Sequence, residues 1–156
     1  MANYVLIHGS FQGGWIWQPT VERLRQAGHT VYAPTMDGCA ERQRGLRVGN
    51  TATTMAKEVA DLFFYEDLED VILVGTSSGG IIISKAAELA REKIRHLVYI
   101  DALAPQPGET VADIVIRGPN PEPYEETEFA SGPNREGMSD RLFADLEPKL
   151  KKWALD

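Results

Sequence analysis

Residues 71–80, which read VILVGTSSGG, constrain the fold more than any other part of the sequence. An apolar run rich in β-branched residues predicts a buried strand, and it breaks at Gly-Thr-Ser-Ser-Gly directly before a stretch of helical character. This is the Gly-x-Ser-x-Gly pattern of a nucleophile elbow, in which a strand turns sharply into a helix. A Cβ at Gly75 or Gly79 would crowd that turn. The pattern therefore predicts that Ser77 is exposed at its tip, and an ordinary glycine-rich turn with a serine cap is the alternative.

Strand and helix signals alternate along residues 1–100. Strands are predicted over residues 4–8, 30–33, 71–74 and 96–100, and helices over residues 16–27, 55–65 and 81–91, whereas residues 34–50 lack periodicity and are expected to form a loop. This alternation is typical of an α/β fold with a mostly parallel sheet and helices on both faces. Such sheets bind ligands beyond the carboxyl ends of their strands, which is where Ser77 is predicted to lie.

The composition changes after Ala104. Seven of the nine prolines follow it, and residues 101–156 hold 12 acidic and 6 basic residues, whereas residues 1–100 hold 11 and 10. We therefore predict an α/β core over residues 1–104 and the beginning of a partly irregular cap or lid segment over residues 105–156. One amphipathic helix is expected in that segment, over residues 139–150.

Composition and motifs exclude several functions. A net charge of −7 without a basic patch argues against nucleic-acid binding. The N-terminus enters a strand without a basic region or a long apolar run, so neither a secretory signal nor a membrane span is predicted, and a cytoplasmic location is expected. Cys39 is the single cysteine and is expected to be a neutral free thiol. No set of cysteine, histidine and acidic residues indicates a metal site, and the phosphate-binding glycine motifs are absent.

Acyl transfer by a serine needs an activated hydroxyl and hydrogen-bond donors where the carbonyl oxygen becomes negative. The N–H of Ser78, which follows the predicted nucleophile, is one expected donor. The second is expected from the loop after the first strand, with Ser10 as the first choice and Phe11 as the second. Thr76 and Ser78 could hydrogen-bond the substrate, although a packing role is an equal alternative.

None of the three histidines is a good candidate for the base. His8 ends a buried strand and is expected to be a satisfied core or loop-orienting residue, whereas His29 and His96 are expected to be structural or solvated, with His96 at the opposite end of the sheet from Ser77. No histidine follows His96, although hydrolases with this elbow place an acid and then a histidine after the serine. Asp101 is expected to cap the following loop, with the triad acid as its alternative role. Ser84 is expected on the helix surface.

Four segments carry a family resemblance, and they read VLIHGSFQGGWIW, AGHTVYAPTMDG, VILVGTSSGG and LVYIDALAP. In order and spacing they resemble the first two-thirds of small α/β-hydrolases of the group that includes plant methylesterases and hydroxynitrile lyases. The resemblance covers residues 3–107. It implies that Ser77 is the nucleophile, that the N–H groups of Ser10 and Ser78 form the oxyanion hole, and that a small ester or other carbonyl compound is the substrate, without a metal or an organic cofactor. It departs from the group at Thr76, where many relatives have histidine or glutamate.

The resemblance also implies that the last strands, the triad acid and the base histidine are missing from this sequence. The sheet would then have unpaired edges. We therefore expect a complementary C-terminal polypeptide or a longer chain, and association between copies is a further expectation. Three functions stay open, namely a serine hydrolase, a hydroxynitrile-lyase-like enzyme on the same scaffold, and a non-catalytic binding module or inactive fragment.

Overall fold

The computed structural model describes residues 1–115, 124–126 and 131–155. Residues 1–114 and residues 115–156 form two compact units. The predicted start of a cap segment after residue 104 is a separate matter from this division, and it stays a prediction.

The first unit is built on a four-stranded sheet in which each neighbouring pair of strands is parallel. Each strand overlaps one of the predicted segments, which confirms the α/β class. The strands are β1 (Asn3–Ile7), β2 (Thr30–Tyr32), β3 (Val71–Ser77) and β4 (Ile94–Ala102), and they follow the order β2-β1-β3-β4 across the sheet.

Helices cover both faces of this sheet, as predicted. Successive residues of a strand point to opposite faces, so Val5 of β1 packs in one core cluster and Leu6 in another. The cluster around Val5 includes Phe63, which is fully buried, and burial of such a side chain stabilises the fold by about 1.5–3 kcal/mol. The helices of the first unit are α1 (Gln18–Gln26) beside Leu6, α2 (Ala52–Tyr65) and α3 (Gly79–Leu89) beside Val5, and the short α4 (Val111–Ile114).

Two of these helices begin differently from the sequence expectation. The helix predicted from residue 16 starts as a 3₁₀ turn, Gly14–Trp17, and becomes α-helical at α1, with proline in its first turn. At the start of α2, the Thr51 hydroxyl accepts a hydrogen bond from the Thr54 N–H at 3.2 Å, and the Thr54 hydroxyl accepts one from the Thr51 N–H at 2.9 Å. This reciprocal cap satisfies two N–H groups that the helix itself cannot bond. The predicted loop before α2 contains a further 3₁₀ turn, Ala40–Gly45.

The order of the strands reverses direction between β1 and β3. The chain leaves β1 to form β2 on one side of it and later places β3 on the other side. In open parallel sheets, ligands bind at the carboxyl ends of the two strands that flank such a reversal. The loop after β1 and the turn after β3 meet at this point.

The second unit contains a two-stranded antiparallel sheet and short helices. The helix predicted over residues 139–150 is wrong as one continuous element, because residues 143–147 are not helical. Pro148 explains the break, since proline lacks an N–H and fits only the first turn of a helix. Part of the predicted cap or lid segment, residues 116–123 and 127–130, lies outside the described residues. The elements are β5 (Tyr124–Glu126), β6 (Ser131–Pro133), α5 (Arg135–Gly137), a π-helical turn Met138–Leu142, and α6 (Pro148–Leu155).

Within the described ranges, no helix is both long enough and apolar enough to span a membrane.

Candidate active site

Ser77 is the last residue of β3 and adopts a left-handed backbone conformation, with φ of +50°. Its side chain is exposed, and α3 begins two residues later at Gly79. A Cβ on Gly75 would lie 2.8 Å from the backbone carbonyl of Gly79, and a Cβ on Gly79 would lie 2.7 Å from the His8 carbonyl oxygen. The turn therefore has the sharp strand-to-helix geometry that the Gly-x-Ser-x-Gly pattern predicts.

The loop after β1 approaches the elbow through Gly9. A Cβ on Gly9 would lie 2.8 Å from the Cβ of Ser77. The Gly9 N–H donates to the Gln12 Oε1 at 3.2 Å, so the side chain of Gln12 closes the loop on itself. No motif in the sequence indicated this role for Gln12. Phe11 has φ of +62° and is 44% exposed at the surface of this loop.

The structure brings together the two residues predicted to donate to a substrate oxygen. The Oγ atoms of Ser10 and Ser78 lie 2.8 Å apart and share a hydrogen bond. No hydrogen bond within residues 1–115 uses the N–H of either residue. The Ser78 N–H belongs to the donors at a helix N-terminus that have no partner inside the helix. Neither N–H group is therefore committed to a partner within these residues.

His8 is buried, with 2% of its surface exposed, and both of its ring nitrogens are bonded. Nε2 accepts from the Met36 N–H at 3.0 Å, which places the ring proton on Nδ1, and Nδ1 donates to the Gly9 carbonyl oxygen at 2.8 Å. Burial lowers the pKa of His8, while the Gly9 carbonyl and the charge of Glu41 act in the opposite direction. His8 thus fixes the loop after β1 to the loop after β2, as a loop-orienting histidine would.

Polar groups hold the segment after β2 in place below this loop. The Gly14 N–H donates to the buried Thr35 hydroxyl at 2.8 Å, and a hydrogen bond with Thr35 lowers the pKa of Glu41. Arg42 donates to the Thr35 carbonyl at 2.6 Å and to the Glu58 carboxylate of α2 at 2.8 Å. These contacts tie the segment after β2 to α2 and to the loop that carries Ser10.

The remaining predicted residues lie at the edge of this arrangement. Thr76 is half-buried in β3. Asp101 lies in a bulge, because Thr76 pairs with Ile100 whereas Ser77 pairs with Ala102, and its φ is +43°. No side-chain hydrogen bond of Asp101 is formed within residues 1–115, so the expected loop cap is not observed there.

Four other side chains have contacts or surroundings that do not include Ser77. His29 accepts from the Ala2 N–H at 3.2 Å. His96 lines a cavity of about 630 Å³ with residues of α3 and β4, and Ser77 is not among the lining residues. Ser84 was expected on the helix surface but is half-buried, because its hydroxyl donates to the Gly80 carbonyl at 2.7 Å and bonds the Tyr99 hydroxyl at 2.8 Å. Burial raises the pKa of Cys39, which keeps this thiol neutral as expected.

The described residues contain no group of three or more His, Cys, Asp or Glu side chains that could hold a metal ion.

The sequence profile of the alpha/beta hydrolase family matches residues 4–156. The chain therefore belongs to the alpha/beta hydrolase family.

Two relatives illustrate this similarity. A carbendazim hydrolyzing esterase from Nocardioides sp. (strain SG-4G) is 40% identical over 122 residues, which are 78% of this chain and 50% of that protein. An alpha-hydroxynitrile lyase from Arabidopsis thaliana is 30% identical over 155 residues, which are 98% of this chain and 59% of the lyase. The chain thus spans about half of these relatives' length.

A solved structure agrees with this assignment. It is an extracellular alpha/beta-hydrolase from a Paenibacillus species, described as sharing structural and functional homology with tobacco salicylic acid binding protein 2. It superimposes with a TM-score of 0.67 at 36% identity, over 72% of this chain and 46% of that one.

Proposed function

We propose that this chain carries the nucleophile and the oxyanion hole of a serine hydrolase that acts on a small ester or a related carbonyl substrate. The observation that carries the proposal is the exposed Ser77 at φ of +50°, directly beside the loop that follows β1. A serine held in this conformation at a strand-to-helix turn is typical of a nucleophile in hydrolases of this fold. Phe11, on the loop after β1, and Thr76, which precedes Ser77 in β3, are proposed to contact the substrate.

The reaction follows from the chemistry of a serine nucleophile. The Ser77 Oγ bonds to the carbonyl carbon while its proton passes to a base, and the carbonyl oxygen becomes negative. The N–H groups of Ser10 and Ser78 donate to that oxygen. Collapse of the tetrahedral intermediate expels the alcohol, which takes the proton from the base. Water then attacks the acyl-enzyme in the same way and releases the acid.

The base is proposed to come from a segment outside residues 1–156. His8 is buried, and it would have to give up its bond with the Met36 N–H to accept a proton. His96 pairs with Ile72, five residues before Ser77 along the strand, which corresponds to about 16 Å at 3.3 Å per residue. His29 precedes β2 and therefore lies at the opposite end of the sheet from Ser77. Each histidine of the chain is thus unsuited to activate Ser77.

The edge strand β4 is the proposed attachment point of that segment. Among the described residues β4 pairs only with β3. Apolar side chains on both of its faces are exposed, from Leu97 and Val98 at 37% to Ile100 at 47%. An exposed apolar edge strand readily pairs with a further strand. A strand added parallel to β4, from the same chain or from a partner polypeptide, would pair with its free backbone groups and end at the same edge of the sheet as Ser77.

The test is labelling of Ser77 by a fluorophosphonate probe in the full-length protein, together with hydrolysis of a series of p-nitrophenyl esters. Ser77→Ala is expected to abolish labelling and to lower kcat by about 10³-fold or more. Thr53→Ala, which removes an exposed hydroxyl from α2, is the matched control and is expected to retain both. Unchanged ester hydrolysis in Ser77→Ala would refute the proposal.

A lyase is the second candidate, because the similarity to an alpha-hydroxynitrile lyase extends over 98% of this chain. In that case Ser77 would take part in proton transfer, and no acyl-enzyme would form. Mass spectrometry of the protein after rapid mixing with p-nitrophenyl acetate separates the two candidates. An added acetyl group on Ser77 supports the hydrolase, and cyanohydrin cleavage without any acyl-enzyme supports the lyase. If the full-length protein shows neither activity, a non-catalytic binding role is the better account.

A further inference from the structure

The hydroxyl groups of Ser10 and Ser78 form a pair whose role in the proposed reaction goes beyond their N–H groups. Their Oγ atoms are 2.8 Å apart, so one hydroxyl donates to the other. Two hydroxyls contain two protons, and this bond uses one of them. The second proton remains free to donate to a further acceptor.

Helix capping does not explain the position of the Ser78 hydroxyl. Serine directly before a helix commonly accepts a hydrogen bond from an N–H of the first turn. Ser78 precedes α3 with φ of −63° and ψ of −17°, a helical conformation, and its side chain makes no capping bond. The hydroxyl instead points across to Ser10, which lies 68 residues earlier in the sequence.

The two hydroxyls belong to the same residues that supply the proposed oxyanion-hole N–H donors, and both residues adjoin the nucleophile. Ser78 follows Ser77 directly, and Ser10 follows Gly9, whose Cα region touches the Ser77 side chain. Ser10 is exposed and Ser78 half-buried, so the Ser10 hydroxyl is the one that meets an incoming substrate. Either hydroxyl can be the donor in this bond, and donation by the half-buried Ser78 hydroxyl leaves the Ser10 proton free.

We propose that the Ser10 hydroxyl is a third donor to the substrate carbonyl oxygen, and that the Ser78 hydroxyl orients it. Ser10 would then be a catalytic residue through its side chain as well as its N–H, and the Ser78 hydroxyl would be a positioning group. A donor that already accepts a hydrogen bond is more polarised and binds an anionic oxygen more strongly. This inference rests on the proposed hydrolase function.

The experiment compares kcat and KM of Ser10→Ala, Ser10→Thr, Ser78→Ala and the Ser10→Ala/Ser78→Ala double variant in the full-length protein. Loss of a donor that acts on the transition state lowers kcat with little change in KM, and a tenfold or larger loss is expected, up to about 10²-fold. Ser10→Thr retains a hydroxyl and is expected to restore most of the rate. Because Ser78 acts through Ser10, the double variant is expected to be no slower than Ser10→Ala.

A purely structural link between the two loops gives a different result. Ser10→Ala would then lower the melting temperature, and Ser10→Ala and Ser78→Ala would leave kcat within twofold of the starting protein. The dissociation constant of phenylboronic acid, which forms a tetrahedral adduct on a nucleophilic serine, is the second readout, and it is expected to rise in Ser10→Ala. Unchanged kcat and unchanged boronate affinity in Ser10→Ala overturn this inference, while Ser77→Ala remains inactive. If Ser77→Ala keeps both its rate of hydrolysis and its boronate affinity, the hydrolase proposal itself is overturned.

Discussion

Gly9 and Ser77 are in such close contact that a methyl group on Gly9 would lie 2.8 Å from the Cβ of Ser77. The Thr76 carbonyl oxygen would lie 3.3 Å from the same added atom. The distance between the loop after β1 and the elbow is therefore set by the absence of a side chain at residue 9. The two proposed N–H donors lie one on each side of this contact, so their spacing depends on it.

Gly9→Ala is expected to push the loop away from the elbow and to lower kcat by about 10²-fold or more, as loss of one oxyanion-hole donor does. Overpacking of this kind also lowers the free energy of unfolding, by about 1–3 kcal/mol. Gly49→Ala is the control, because it places a side chain in a left-handed conformation, with φ of +107°, but meets no neighbouring atom within 4 Å. Ester hydrolysis and urea unfolding of both variants separate the two effects. Equal activity in Gly9→Ala and Gly49→Ala would show that the contact does not set the spacing.

Ser77→Gly is expected to stabilise the protein. A residue with a Cβ at φ of +50° is strained by about 1–2 kcal/mol, and glycine is not. The side chain is exposed, so its removal sacrifices little packing. Ser77→Gly should therefore have a higher melting temperature than Ser77→Ala, while both variants lack activity. Calorimetry of the two variants tests this, and a lower melting temperature for Ser77→Gly contradicts it.

The elbow could be predicted from the sequence because its signals are local. Apolar β-branched residues, two glycines and a serine lie within ten consecutive positions, and each is required by the conformation of the turn itself. The same holds for the α/β class, since alternating periodicities describe each element separately. The boundaries moved by only one to three residues for most strands and helices, because the ends of elements depend on neighbours that periodicity does not report.

The details of the site could not be predicted because they join residues far apart in the chain. The Ser10 and Ser78 hydroxyls meet across 68 residues, and His8 bonds Met36 across 28. Serine occurs both on exposed surfaces and in helix caps, so the residues next to Ser10 and Ser78 in the sequence do not indicate this contact. Ser84 was misassigned for the same reason, since its partner Tyr99 lies on the next strand.

Protonation of His8 is expected to lower the free energy of unfolding as the pH falls. Burial lowers its pKa below the ordinary value of 6.5 in the folded state, so the unfolded chain binds a proton first as the pH falls. The stabilising contribution of neutral His8 is therefore present above pH 6.5 and is lost as the pH falls from 6.5 through the folded-state pKa. Urea unfolding between pH 7.5 and pH 5 measures the slope of the free energy of unfolding against pH.

His8→Asn tests the assignment, because asparagine retains a donor and an acceptor but does not titrate. The slope attributed to His8 should disappear in this variant, and its stability at pH 7.5 should fall by about 1–3 kcal/mol if the buried Met36 N–H loses its partner. His96→Gln, a substitution on the exposed part of β4, is the control and should keep the slope. A slope that persists in His8→Asn assigns the pH dependence to other groups.

The carboxylate of Asp37 should respond to removal of Arg47. The Arg47 guanidinium donates to Asp37 Oδ2 at 2.7 Å, and this hydrogen bond is the main cause of the lowered pKa of Asp37, with Asn50 and Arg42 as weaker contributors. A lowered carboxyl pKa stabilises the fold above the ordinary value of 3.8 and loses this effect as the pH falls through the folded-state pKa. Arg47→Ala should therefore raise the pKa of Asp37 toward 3.8 and make acid unfolding less steep below that pH. Carbon NMR titration of the carboxyl group measures the shift, and Arg44→Ala, which removes an exposed guanidinium three residues earlier, should leave it unchanged. An equal titration of Asp37 in both variants would show that Arg47 does not hold this carboxylate.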